Sequence, residues 1–373
     1  MINEKANWYE IEDIDKLDSP ALVIFPERVK ANIQTAIEMI GDVNRLRPHV
    51  KTNKSPGAVK LITDAGITKF KCATIAEAEM LGMVGAKDVL LAYQPLGPKL
   101  ERFVNVIKKY PSTQYSCLCD NFLAAKEQSD FFEANGLTVP VYIDLNVGMN
   151  RTGIAPGEKA IELFLFLSTA KGIKTAGLHA YDGHIRDVDI AERTIKCNEA
   201  FAAIEQMKDA LENKGISFIN IIAGGSPTFP IHAKRKNIEA SPGTFIYWDK
   251  GYLNICPEQN FLPAAVLITR IISFPSETKL CTDLGHKSVA AENEITRRIF
   301  FLNNVELNPV SQSEEHLVLE TNDTNNYKVG EVLYGLPWHV CPTVALYESV
   351  YTIENGKITG EWKNSARDRK ISL

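Results

Sequence analysis

Five short runs of the 373-residue chain carry residue types that could do chemistry together. The first, Arg47-Pro48-His49-Val50-Lys51-Thr52-Asn53-Lys54, places a cluster of cations at the end of an apolar stretch. A lysine there cannot stay charged in a packed interior without cost, so Lys51 snorkels to solvent, is paired, or serves as an amine nucleophile with a lowered pKa. The second, Asn146 to Gly153, sets glycines on both sides of Arg151, allowing the backbone close to a ligand. Its guanidinium suits a phenolate, ring nitrogen or carboxylate, and an ordinary loop arginine fits the pattern equally. The third is Tyr181-Asp182-Gly183-His184, where the Tyr181 ring either stacks on a planar ligand or simply packs. The fourth is a pair of glycine-and-hydroxyl turns, Gly224-Gly225-Ser226 and Ser241-Pro242-Gly243-Thr244, whose backbone amides can face an anion. With a lysine and an arginine at other strand ends, these turns point to a phosphorylated ligand. The fifth is Pro337-Trp338-His339-Val340-Cys341-Pro342-Thr343. In an extended segment positions i and i+2 share a side, so His339 and Cys341 either pack together or offer an imidazole and a thiolate to one ion. Two protein ligands leave positions open for water and substrate, and a thiolate favours zinc over magnesium or calcium.

The elements that must position these groups follow from apolar periodicity. Strand-like runs fall at 21–25, 46–51, 70–74, 89–93, 114–119, 139–146, 174–181 and 218–223, and helix-like segments separate them. Parallel strands need crossover helices, so this series predicts a (β/α)8 TIM barrel of the α/β class, with a doubly wound open sheet as the alternative. In such a barrel chemistry sits where strands end, which is where Lys51, Arg151, Tyr181 and Gly224 fall. From residue 263 the pattern changes to Val-, Ile- and Leu-rich runs at 264–274, 279–283, 299–302, 316–320, 331–334 and 344–353, read as a β-domain. The expected division is a ligand-binding barrel over 19–262 and a β-domain over 263–373 that carries the metal pair, with residues 1–18 joining the latter.

Composition closes off other classes. Hydrophobic residues are 45% and charged residues 23%, the usage of an ordinary folded chain rather than a disordered or multi-span one. Lys plus Arg number 41 against 46 Asp plus Glu, a net charge of −5 without a long basic run, which attracts neither nucleic acid nor an anionic membrane. The start, Met1-Ile2-Asn3-Glu4-Lys5, lacks a basic segment followed by an apolar one, so the cytoplasm is the expected compartment. The seven cysteines are scattered and odd in number, without a Cys-x-x-Cys pair, against a disulfide framework.

Taken in order, Arg47 to Thr52, Gly148-Met149-Asn150-Arg151-Thr152-Gly153, Gly224-Gly225-Ser226, Pro242-Gly243-Thr244, Asp283-Leu284-Gly285-His286-Lys287 and His339 to Val344 resemble the motifs of the D-threonine aldolase and D-serine dehydratase group. That group belongs to the fold-type III, alanine-racemase-like enzymes that use pyridoxal 5′-phosphate, and the likeness spans about residues 18–370. The resemblance implies that Lys51 joins the cofactor covalently and moves the α-proton, that Arg151 contacts ring substituents, and that Tyr181 stacks on the ring. It further implies that Gly224, Gly225, Ser226, Gly243 and Thr244 cradle the phosphate, and that His339 and Cys341 hold a divalent metal, zinc or manganese. The implied activity is metal-assisted cleavage of a D-3-hydroxy amino acid to glycine and an aldehyde, by a homodimer. The same parts serve a dehydratase acting on D-serine or D-3-hydroxyaspartate, which yields a keto acid and ammonia. An amino-acid racemase would need a second acid/base on the opposite face, and the non-catalytic pyridoxal-phosphate-binding proteins lack a β-domain. Two features depart from the group's pattern. Asn53 stands where many relatives have histidine, and the His-x-Cys pair is dehydratase-like whereas Pro342-Thr343-Val344-Ala345-Leu346 is aldolase-like.

Overall fold

The computed structural model describes residues 7–217 and 219–373; Phe218, expected to open a strand, and residues 1–6, expected to join the β-domain, lie outside the described residues. Among the described residues sixteen strands form two sheets: β1 (Ala21–Ile24), β2 (Lys69–Cys72), β3 (Asp88–Leu91), β4 (Gln114–Cys119), β5 (Val139–Leu145), β6 (Ile173–Ala180), β7 (Asn220–Ala223), β8 (Ile238–Ala240), β9 (Ala265–Ser276), β10 (Lys279–Thr282), β11 (Ile299–Phe301), β12 (Asn308–Gln312), β13 (Leu317–Glu320), β14 (Val332–Pro337), β15 (Ser349–Glu354) and β16 (Lys357–Lys363). Strands β2 to β8 make a seven-stranded sheet in sequence order, parallel throughout. The crossovers that its parallel pairing requires are α3 to α8, preceded by α1 and α2. These are α1 (Pro26–Ile40), α2 (Pro56–Asp64), α3 (Ile75–Met83), α4 (Pro98–Lys109), α5 (Phe122–Ala134), α6 (Glu158–Thr169), α7 (Ile190–Glu212) and α8 (Phe229–His232). Their starts are written locally: Pro26, Pro56 and Pro98 stand in the first turn, and Thr74, Asn121 and Asp189 accept a backbone N–H as caps.

The eighth barrel position is not a strand. Residues 46–50 run between the two sheet edges, with Arg47 N–H donating to Ala240 at 2.9 Å, and Val50 N–H donating to Lys71 at 2.9 Å. Pro48, which has no N–H, keeps this segment from forming a regular ladder, so the strand expected at 46–51 becomes a bridging segment that closes the barrel. The strand expected to open the barrel, 21–25, is β1, and it lies in the other sheet between β9 and β15. All four of its residues are buried, and an apolar run buried on both faces carries no sign of which sheet it enters. Three-residue β8, with Glu239 at its centre, gave no strand signal.

Inside the closed end Arg47 is 1% exposed and donates to Glu239 at 2.7 Å and to Asp88 through both terminal nitrogens, while Lys69 pairs with Glu239 on the far side. These paired charges, with Arg47 and Glu239 buried, satisfy one another where a hydrophobic plug would otherwise fill the barrel.

The second sheet has nine strands, in the order β12-β13-β10-β9-β1-β15-β16 with β14 on β9 and β11 on β14, antiparallel apart from the β1–β15 pair. After the barrel comes α9 (Lys250–Ile255), and after β14 comes α10 (Val340–Val344). The extended geometry expected at 337–343 therefore ends at His339, the residue that precedes α10.

Candidate functional site

A cavity of about 560 Å³ opens where the parallel strands end. Around its walls, β2 supplies Lys71, β5 supplies Asp144, the following loop supplies Arg151, and β6 supplies His179 with Tyr181 just past its end. The cations expected at 47–54 separate by position. Arg47 lies at the closed end, Lys54 pairs with the buried Glu77, and Lys51 alone faces the cavity, beside His49. Asn53 is buried and accepts the Ser55 N–H at 3.3 Å, so it serves the approach to α2 rather than the cavity wall.

Three cations surround one aromatic ring. Lys51 Nζ and Lys71 Nζ each lie 5.6 Å from the Tyr181 centroid, and Arg151 Cζ lies 5.0 Å from it. Among the described residues none of the three has an ion pair. The Arg151 loop is held by Asn146, whose side chain accepts from Gly148 and Asn150, and by Asp120, which accepts the Gly153 N–H at 3.0 Å. Gly153 is required here, because its φ is +98° and a Cβ would stand 2.6 Å from the Asn146 nitrogen.

Asp144 accepts from Thr152 at 2.9 Å and from His179 Nδ1 at 2.7 Å. Burial and then Lys71 push His179 below its ordinary pKa, whereas His179 holds Asp144 low against the effect of its burial. The neutral imidazole thus donates its Nδ1–H to the Asp144 carboxylate in a hydrogen bond and keeps a lone pair on Nε2, a buried atom without a hydrogen-bond partner among the described residues, in a residue lining the cavity.

The two glycine-and-hydroxyl turns meet. Ser226 Oγ accepts from Gly243 at 3.3 Å and Thr244 at 3.1 Å, so part of the expected anion cradle is tied together by its own hydroxyl. Gly225 backs onto the aromatic ring, where a Cβ would stand 3.0 Å from Tyr181 Cε2. Beneath the turns runs a buried brace with no local signature in the sequence. Gly225 N–H donates to Thr228 Oγ1, Thr228 donates to Asp182 at 2.7 Å, and Asp182 pairs with His232, whose Nδ1 accepts from Arg235. Asp182, His232 and Cys197 hold three ligand atoms within 4.8 Å of one another, but the Arg235 guanidinium on the same imidazole opposes a cation there.

His339 and Cys341 come close enough, despite the start of α10 between them, for each to shift the other's pKa. Burial acts against the charged forms, yet Cys341, Asp249 and Glu292 raise His339 to about 9, while His339 and Lys51 hold the Cys341 thiol below its ordinary value. Each group thus favours the charged form of the other, and the thiolate is the form of cysteine that binds metal. Glu292 accepts from His339 Nδ1, and the buried carboxylate of Asp249 accepts the Val340 N–H at 3.0 Å and the Tyr252 N–H at 2.9 Å, fixing α10 to the barrel. Burial raises Asp249 to about 6. Neither acid stood out in the sequence. Cys341 Sγ lies 3.2 Å from Thr52 Oγ1 and 3.7 Å from Thr244 Oγ1, so the sulfur sits between the residue after Lys51 and the glycine turns.

Unpaired cations, an orphaned imidazole nitrogen, a glycine that lets backbone approach the ring, and two hydroxyl turns fit pyridoxal 5′-phosphate, a flat anionic aromatic. His339 and Cys341 fit a divalent ion.

Comparison with known proteins agrees with these features. The family "Alanine racemase, N-terminal domain" matches residues 24–250, and "Putative serine dehydratase domain" matches residues 264–353. The chain is 24% identical to a 3-hydroxy-D-aspartate aldolase of Paracoccus denitrificans (strain Pd 1222) over 96% of its length and 94% of the relative's. It is 23% identical to a D-threonine aldolase of Arthrobacter sp over 95% and 94% of the two chains. Among solved structures, that of D-threonine aldolase from Filomicrobium marinum superposes with a TM-score of 0.88 at 25% identity, covering 96% of this chain and 98% of that one.

Proposed function

Because the chain belongs to the alanine racemase N-terminal domain family, we propose that it is a pyridoxal-phosphate-dependent, divalent-metal-assisted lyase that splits a D-3-hydroxy amino acid into glycine and an aldehyde. The observation that carries the reading is the 3.2 Å approach of Cys341 Sγ to Thr52 Oγ1, which joins the metal pair of one domain to the residue beside the cavity lysine of the other. A lyase of this kind needs an amine at Cα and a Lewis acid one carbon away, and these two are adjacent. Bound there, the cofactor supplies an electron sink at Cα, and the metal, zinc or manganese, supplies a Lewis acid at the 3-hydroxyl.

The chain's own residues do the rest. Lys51 is the covalent amine and the group that moves a proton at Cα. Tyr181 is the stacking face, and Arg151 holds the ring substituents. Gly224, Gly225, Ser226, Gly243 and Thr244 receive the phosphate, braced from below by Asp182 and His232. His339 and Cys341 hold the metal, with Glu292 orienting the imidazole. The barrel over 19–262 binds the cofactor and the β-domain over 263–373 decides which bond breaks, with β1 threaded into the second sheet to tie the two. Seven free cysteines support a reducing compartment such as the cytoplasm. The exposed apolar side chains of Val188, Ile190 and Ile195 support assembly of two copies.

A dehydratase is the second reading, favoured by the cysteine in the His339–Cys341 pair, since a cysteine mutant of a D-threo-3-hydroxyaspartate dehydratase of the same fold was solved in a metal-free form. The test is to supply the purified protein with cofactor and zinc or manganese, then D-threonine, D-3-hydroxyaspartate and D-serine in turn. Glycine with an aldehyde supports the aldolase, a keto acid with ammonia the dehydratase, and the L-isomer alone a racemase. Lys51→Ala is expected to lose the visible absorbance of the bound cofactor; an unchanged spectrum would remove Lys51 from its role.

A further inference from the structure

Lys71 has no part in the roles given above. On β2 (Lys69–Cys72), alternation sends Phe70 and Cys72 toward the helices and Lys69 and Lys71 into the barrel. Lys71 is 3% exposed, lines the cavity, and donates to Ser241 Oγ at 3.0 Å; that hydroxyl in turn donates to the Gly224 carbonyl. The charged and titratable groups around it come from every neighbouring element. They are His49 and Lys51 from the closing segment, Asp144 on β5, Arg151 in the next loop, His179 on β6, and Tyr181 and Asp182 beyond it. Both carboxylates are committed elsewhere, Asp144 to His179 and Thr152, Asp182 to Thr228 and His232. Lys71 therefore stands in excess positive charge without a carboxylate of its own, and burial followed by Lys51 brings its pKa to about 7.

An amino acid arrives in water with its nitrogen as an ammonium, which has no lone pair and cannot bond to carbon. A cavity ringed by cations disfavours that ammonium further. We propose that Lys71 is the base that relieves the incoming amino acid of this proton. Lys71 Nζ accepts H⁺ and becomes –NH3⁺, the substrate nitrogen regains its lone pair, and the same proton is returned to the amino group of the departing product. Only N–H bonds are exchanged at Lys71, and no co-reactant is consumed. The assignment rests on the proposed cofactor and amino-acid chemistry of the cavity, but not on which substrate bond is cleaved.

The experiment has two arms. In the holoenzyme labelled with [ε-13C]lysine, with K71Q assigning the resonance, Lys71 is expected to titrate near neutral pH, about three units below an ordinary lysine. Titration with the surface lysines would overturn the proposal whatever the enzyme's reaction. In stopped flow, D-alanine, which has no 3-hydroxyl to cleave, is mixed with the holoenzyme and the change in the cofactor's visible spectrum is followed from pH 6 to 10. The wild-type rate is expected to level off above neutral pH. In K71M it is expected to fall about a hundredfold at pH 7 and to climb steadily with pH, as the substrate must shed its proton to water. K71Q replaces K71M if the latter does not fold. A variant with the wild-type rate and pH profile would refute the role. If D-alanine exchange behaves as expected but no 3-hydroxy amino acid is cleaved, the lyase reading fails and the Lys71 assignment stands.

Discussion

Replacing Lys71 by methionine in the cofactor-free protein isolates the energetic price of a buried amine. Folding lowers the Lys71 pKa from the model-compound value of 10.5 to about 7, chiefly through burial. The unfolded chain therefore binds a proton between pH 10.5 and 7 that the folded protein does not, and stability falls as pH drops through this window. At 1.36 kcal/mol per unit, the full cost at and below pH 7 is about 5 kcal/mol, and at pH 9 about 2 kcal/mol. Methionine removes that cost and gives up the hydrogen bond to Ser241, worth about 1 kcal/mol. Lys71→Met is thus expected to stabilise the apo-protein by about 4 kcal/mol at pH 6.5, by about 1 kcal/mol at pH 9, and not at all above pH 10.5. Urea unfolding of both proteins at these pH values measures the difference. A gap of constant size across the series would show that Lys71 keeps an ordinary pKa, and the reasoning about the cavity's charge would fall with it.

Other perturbations separate the parts of the account. Arg47→Met leaves Asp88 and part of Glu239 uncompensated at the closed end and is expected to cost about 3–5 kcal/mol in urea unfolding; a loss below 1 kcal/mol would show that the charge network does not hold the barrel shut. Glu292→Gln withdraws the charge behind His339 and is expected to weaken zinc binding about 10- to 100-fold by calorimetry, with unfolding unchanged, whereas equal affinity would make Glu292 a bystander. Gly225→Ala places a methyl 3.0 Å from the Tyr181 ring, so cofactor affinity is expected to drop in a fluorescence titration while the apo-protein stays as stable; undiminished affinity would place the ring elsewhere when the cofactor binds.

The parts of this protein legible in its sequence are those with local causes. Strand and helix alternation shows as periodicity, and the loop around Arg151 and the two hydroxyl turns show as glycine spacing. What stayed hidden depends on long-range pairing. β1 is apolar on both faces and reads alike in either sheet, and β8 is too short and too charged at Glu239 to register. Leu46 and Val50 give the 46–50 segment the look of a strand, but Pro48 reduces it to bridges. Of the residues lining the cavity, Lys51, Arg151 and Tyr181 drew attention by standing at strand ends. Lys71 was missed because it lies inside β2, where a lysine reads as one more polar residue of an edge-like KFKC run. Glu292, Asp249 and the Asp182–His232 brace act across 47 to 91 residues of chain, a separation that local patterning does not encode.

The claim at the centre is that Lys51 and the His339–Cys341 pair work on one substrate. Its most direct test is the product balance from D-threonine in the wild-type enzyme loaded with cofactor and metal, and in His339→Ala treated the same way. Equal amounts of glycine and acetaldehyde from the wild type, with loss of both in the variant while its cofactor spectrum persists, are the expected result. Undiminished glycine and acetaldehyde from His339→Ala after metal is chelated would contradict it.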